Sequence, residues 1–315
     1  MQNRSQDCQC GRKVAFATHV YFKDYDVVLD PGRFAMVVQS HGFDFSDVLI
    51  VLNNFESEKD WKKAQKAAHK LIDMGLATRC IDALSYLTDD VLKEFGLEGK
   101  RFWKQNPYFA TSQITALHWL RKRADYVLHM AGDVWLDRPM NWIPAVLPEI
   151  ESRPEMLGFN LCRGVYEQNY PICYPNWNQD EDDVFWVSRH LSVSKDPSLV
   201  LPVEKYEGRG WGLSDLAYFV RLNPSKKWDL RIREEDAKKY MSFWVGYARP
   251  CFEMYLTLFM YRSGFCYGAL KPLNGQYPKT NHKNFTSNKV KQTFYRLLGR
   301  YKPGGRYATK KGEGL

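Results

Sequence analysis

Five short apolar runs, separated by amphipathic segments, constrain the fold of this 315-residue chain more than any other feature. They are "KVAFATHVYF" (13–22), "DVLIVLNNF" (47–55), "ATRCIDAL" (77–84), "YVLHMAGDVWLD" (126–137) and "MLGFNLC" (156–162). Short, apolar and rich in strand formers, they read as buried strands. Between them lie helical patterns. In "SEKDWKKAQKAAHKLIDMG" (57–75), Trp61, Ala64, Ala68, Leu71 and Ile72 fall on one face and Gly75 supplies a stop. "NPYFATSQITALHWLRKRAD" (106–125) opens with Asn106 as N-cap and Pro107 at the first helical position, and closes in a basic last turn. Strands alternating with such helices predict an α/β fold of the Rossmann-type layered kind, its mostly parallel central sheet flanked by helices.

The second half is less regular. "NQDEDDVFWVSRHL" (178–191) reads as an acidic loop entering an apolar segment, and "GWGLSDLAYFVRL" (210–222) alternates like a strand around Ser214 and Asp215. "RPCFEMYLTLFMYRSGF" (249–265) predicts a helix with Pro250 at its start and Gly264 at its end. No internal repeat or low-complexity linker divides the chain. The expected organisation is a polar leader over 1–12, one continuous unit over 13–270 in which 166–270 elaborates 13–165, and a C-terminal segment over 271–315.

That last segment holds the charge. The net charge is +9, and residues 271–315 alone carry eleven basic side chains against the one acid Glu313. A basic tail can meet the phosphates of a nucleotide, a nucleic acid or an anionic membrane lipid, or can simply be solvated. "MQNRSQDCQCGRK" lacks the apolar centre of a signal peptide, and no run of about eighteen uncharged apolar residues occurs. A cytoplasmic protein is expected, peripheral to a membrane if the tail binds lipid. The seven scattered cysteines fit reduced thiols, and Cys8 and Cys10 have no second pair at zinc-ligand spacing.

The stretch "YVLHMAGDVWLD" delivers Asp133 to the end of a buried run. In open α/β sheets ligands bind beyond the carboxyl ends of the strands. A carboxylate there can hold Mg²⁺ or Mn²⁺ together with substrate phosphates; capping of the turn is the alternative. The first strand is not followed by a glycine-rich turn, and the chain has no P-loop and no G-x-S-x-G elbow. For phosphate binding, a metal held by acidic residues is the remaining common solution.

The order of elements around "YVLHMAGDVWLDRP" resembles the nucleotide-sugar glycosyltransferases of the GT-A fold, whose signature is an apolar strand ending in D-x-D. Ala131, Gly132 and Asp133 overlay the three motif positions, so Ala131 replaces the first acid; Asp137 could be recruited, although its spacing suits a turn better. "WGLSDLAYFVRL" and "RPCFEMYLTLFMYRSGF" are similar to an arrangement in bacterial surface-polysaccharide transferases, where an S-D pair precedes an aromatic strand and a P-x-x-E begins a helix.

The resemblance implies transfer of a sugar from a nucleoside diphosphate sugar to a hydroxyl of a glycan or lipid-linked acceptor. It makes 13–165 the nucleotide-sugar half and 166–270 the acceptor half. It implies Mn²⁺ or Mg²⁺ at Asp133, assisted by His282, and nucleotide contacts from Thr18, His19, Asn53, Asn54 and Asp82 at the ends of the first three strands. Asn53 and Asn54 could equally form a turn. For a catalytic base, Asp215 comes first, because a carboxylate in an apolar strand is costly to bury without a purpose or a partner. Glu253 comes second, since the helix dipole also favours an acid in a first turn. The competing readings are nucleic-acid binding through the tail, and a sugar nucleotidyltransferase, which would be expected to carry a glycine-rich, arginine-containing loop after the first strand.

Overall fold

A computed structural model describes residues 11–104, 108–136, 138–160, 162–163, 200–202, 217–233, 235, 251–270 and 279–282. The apolar runs form strands β1 (Val14–Val20), β2 (Asp47–Leu52), β3 (Arg79–Asp82), β4 (Tyr126–Ala131), β5 (Val134–Leu136) and β6 (Met156–Asn160). Strands β7 (Cys162–Arg163), β8 (Val200–Pro202), β9 (Ala217–Arg221), β10 (Cys266–Leu270) and β11 (Lys279–His282) follow. The helices are α1 (Tyr25–Val28), α2 (Pro31–Gln39), α3 (Glu58–Asp73), α4 (Ala83–Tyr86), α5 (Asp89–Glu94), α6 (Gly99–Lys104), α7 (Tyr108–Leu120), α8 (Ile143–Glu151) and α9 (Phe252–Ser263).

Eight strands make the main sheet in the order β3-β2-β1-β4-β9-β6-β10-β8. Strands β3, β2, β1 and β4 pair in parallel, as do β6 and β10. Strand β9 runs antiparallel to both β4 and β6, and β8 antiparallel to β10. Six strands therefore share one direction, and the α/β class with a mostly parallel, helix-flanked sheet is as expected. Alternation in "DLAYFVRL" marks a strand but carries no direction, so the reversal of β9 is a tertiary fact.

One expected strand is cut short, and another ends at its expected Gly-Asp turn. The run 77–84 is strand only to Asp82, whose carboxylate caps α4 by accepting from the backbone N–H of Leu84 at 3.0 Å. The run 126–137 breaks at Gly132-Asp133, and β5 joins a second sheet of order β5-β11-β7. Residues 279–282 of the basic segment thus return to the centre of the chain. Helix α3 follows its sequence signals: the Ser57 side chain accepts from the Asp60 N–H, and Ala64, Ala68 and Leu71 are buried. The Asn106 and Pro107 cap lies outside the described residues.

Both sheet faces are covered. On one, Phe16, Ile50, Leu128 and Phe219 pack with Phe34 of α2, Leu71 of α3 and Val146 of α8. On the other, Ala17, Val51, Val127 and Val220 pack with Ile114 of α7 and Leu256 of α9. Helices α2, α3, α7, α8 and α9 each precede a strand of the common direction and so begin at the strands' carboxyl edge, where side chains and N–H groups converge. Among the described residues no helix is long and apolar enough to cross a membrane.

Candidate functional site

At that carboxyl edge the buried residues turn polar. Thr18, Asn53, Asn54, Thr111, Asp133 and Glu253 are all buried there, and the interior of β4 carries the buried His129. Buried polar groups carry a desolvation cost unless they are bonded, so such a layer needs internal partners or a ligand.

Asp133 follows β4, the strand beside β1 near the middle of the sheet, and it is 9% exposed. The turn that presents it crosses closely over β1, with the Gly132 N–H donating to the His19 carbonyl at 3.1 Å. Next to Asp133, Val134 is paired in register with His282 of β11. The backbone therefore brings together the two positions named for a metal, although they lie almost at opposite ends of the sequence.

Strand alternation puts His19 on the sheet face opposite Thr18. His19 Nδ1 lies 3.4 Å from His129 Nε2, and their rings stack with centroids 5.2 Å apart. His129 stacks on Tyr218 at 5.0 Å, and Tyr218 on Phe252 at 5.4 Å. One row of rings thus runs from β1 through β4 and β9 to the first turn of α9, where Glu253 follows Phe252. Burial lowers His19 to about 4, the charge of Asp133 opposing it. Burial, then the neighbouring His19, lowers His129 well below the ordinary imidazole value.

Asp24 and Arg33 complete the surroundings of Asp133. Asp24 is buried and accepts from the Tyr21 N–H at 2.9 Å. Burial pushes its carboxyl well above the ordinary range; the Tyr21 N–H opposes that shift and the charge of Asp133 adds to it. Burial lowers Arg33, with Asp133 and Asp24 restoring part of the loss. The Arg33 guanidinium carbon sits 4.9 Å from the ring centroid of Trp135, two residues past Asp133.

The other named positions sit differently. The Asn53 N–H donates to the Val20 carbonyl at 2.9 Å, and its side-chain oxygen accepts from Thr111 Oγ1 at 2.8 Å, tying the end of β2 to α7. Asn54 has a left-handed backbone, φ 58°. Asp82 lies two strands from β1, and its oxygens also accept from the Ser85 N–H at 3.5 Å and Ser85 Oγ at 3.1 Å. Asp215 and Asp137 lie outside the described residues, as do most of 271–315 and the acidic run 180–183.

Sequence reasoning missed His129, Asp24, Arg33 and Thr111. His129 had a signal, a polar residue inside the apolar run "YVLHMA". Asp24 and Arg33 had none, since they lie in a segment without a motif and meet Asp133 only through the fold.

The chemistry of the donors bears on a metal. Among the described residues no three His, Cys, Asp or Glu side chains group closely enough to hold one. The site offers a carboxylate and an imidazole, a partial shell of the kind that Mg²⁺ or Mn²⁺ completes with phosphate oxygens and water. A divalent cation fits here only together with a phosphate-bearing ligand.

No protein-family model and no curated protein matches the sequence. Solved structures similar to it include glucosyl-3-phosphoglycerate synthase from Mycobacterium tuberculosis with phosphoglyceric acid, at 10% identity and TM-score 0.28, over 50% of this chain and 46% of that one. The same synthase has been solved with Mn²⁺ and uridine-diphosphate-glucose. Mouse xyloside xylosyltransferase 1 in its apo form gives 13% identity and TM-score 0.36, over 79% and 81%. Galactosyltransferase LgtC with donor and acceptor sugar analogs gives 10% identity and TM-score 0.38, over 90% and 95%. The chain thus spans less than half the length of the synthase. At these TM-scores no family membership follows.

Proposed function

We propose that the chain is a glycosyltransferase that moves a sugar from a nucleoside diphosphate sugar to a hydroxyl of a glycan or lipid-linked acceptor. The observation that carries this reading is the position of Asp133: a buried carboxylate at the carboxyl end of β4, in a run that resembles a degenerate D-x-D, with the Gly132 N–H bonded to the His19 carbonyl before it and the backbone of His282 paired next to it. A leaving diphosphate needs its developing charge offset, an acceptor hydroxyl needs orienting, and inversion needs a base.

In this reading Asp133 and His282 hold Mn²⁺ or Mg²⁺ against the diphosphate, and the cation supplies Lewis-acid stabilisation of the leaving group. Thr18, His19, Asn53, Asn54 and Asp82 surround the nucleotide. Glu253 or Asp215 takes the acceptor proton. Residues 13–165 form the donor half and 166–270 the acceptor half, while the basic segment 271–315 brings a cytoplasmic enzyme to anionic lipid.

Calorimetry against UDP, GDP, CDP and their sugars, with and without Mn²⁺, tests the reading. The expectation is metal-dependent binding of one nucleotide series, abolished by Asp133→Ala. Absence of binding to every member, in both conditions, sinks it.

A further inference from the structure

The missing acid at Ala131 has a counterpart across the sheet. Strands β1 and β4 pair in parallel with His19 opposite Ala131. Neighbouring strands stand about 4.8 Å apart, so His19 occupies the strand position next to Ala131. The Gly132 N–H donates to the His19 carbonyl at 3.1 Å, so the backbone that leads into Asp133 crosses directly over His19.

The imidazole is held from behind. His19 Nδ1 faces His129 Nε2 at 3.4 Å, and the stacked His129 and Tyr218 rings back it. A ligating histidine uses one ring nitrogen while a partner on the other fixes tautomer and orientation. His129 occupies that partner position, which leaves Nε2 of His19 as the coordinating atom.

Resting on the glycosyltransferase reading, we propose that His19 replaces the motif's missing carboxylate, so that His19 and Asp133 together bind the diphosphate's cation. His129 is a positioning residue for His19. One consequence separates this site from a two-carboxylate one. Carboxylate, carbonyl and water oxygens suit Mg²⁺ and Mn²⁺, whereas imidazole suits iron, nickel, copper and zinc. The exchange of an acid for a histidine therefore removes one of the oxygen ligands that favour Mg²⁺ and opens the site to later first-row ions.

The test uses the full chain with Mn²⁺ and UDP or GDP, and follows the metal by electron paramagnetic resonance. In His282→Gln the bound Mn²⁺ is expected to keep nitrogen-14 coupling from imidazole, and the further change His19→Gln is expected to remove it. His19→Gln is also expected to weaken Mn²⁺ binding by about tenfold or more, the scale on which loss of a supporting group alone acts. Circular dichroism checks that each variant folds, and the wild-type spectrum needs no variant. Bound Mn²⁺ without nitrogen coupling in His282→Gln, or coupling that outlasts the double change, overturns the assignment while leaving the glycosyltransferase reading intact. Nucleotide binding that ignores metal also overturns it. Binding of neither Mn²⁺ nor any nucleotide overturns both.

Discussion

Gly132 donates its N–H to the carbonyl of His19 at 3.1 Å, and that closeness leaves no room for a side chain. A Cβ on residue 132 would lie 2.7 Å from the His19 carbonyl oxygen and 2.9 Å from Val28 Cγ1. The oxygen is backbone in a central strand and cannot retreat. Gly132→Ala should therefore cost about 1–3 kcal/mol in urea denaturation, the range for overpacking a buried site. It should also weaken nucleotide binding measured by calorimetry, because the displaced turn carries Asp133.

His41 gives stability a pH dependence. It is fully buried, the Trp142 indole N–H donates to its Nδ1 at 3.1 Å, and burial pushes it down to about 3. The folded protein keeps the ring neutral where the unfolded chain takes up a proton near 6.5, so stability is lost as pH falls from about 6.5 toward about 3. His19 and His129 act in the same direction. His41→Gln keeps an acceptor for Trp142, and its urea midpoints between pH 7.5 and 4 should fall less steeply, by up to one proton, about 1.4 kcal/mol per pH unit.

Asn54 separates a turn role from a binding role. Its φ of 58° lies where a side chain costs about 1–2 kcal/mol and glycine none. Asn54→Gly should keep or raise the melting temperature, and Asn54→Val should lower it. Nucleotide affinity that is unchanged in Asn54→Gly assigns Asn54 to the turn; a loss of tenfold or more assigns it to the nucleotide.

Glu253 is the carboxylate of the two base candidates that the structure describes, buried in the first turn of α9 beside the Phe252–Tyr218 stack. Glu253→Gln should spare donor binding and lower sugar transfer by about 100-fold or more, the scale of general-base catalysis. Transfer at the wild-type rate would leave Asp215 as the base.

Local chemistry was readable in the chain. The apolar runs gave β1, β2, β4 and β6, the spacing of Ala64, Ala68 and Leu71 gave the buried face of α3, and "AGD" gave a break with a carboxylate at a strand end. Each of these depends on residues a few positions apart, because strand alternation, helix periodicity and capping act over one or two turns of chain. The ends of β1, β2 and β3 could be named for the same reason, although Asp82 proved to be engaged in capping α4.

What the tertiary structure decided are relations across long stretches of sequence. The reversed direction of β9, the return of β11 to Val134, and the pairing of His19 with Ala131 have no local signature. Register is a choice between segments far apart in the sequence, made by the burial of whole sheet faces and not by any one residue. The sequence alone therefore determined that a carboxylate stands at the end of a buried strand, and only the folded sheet set His19 of the neighbouring strand opposite Ala131.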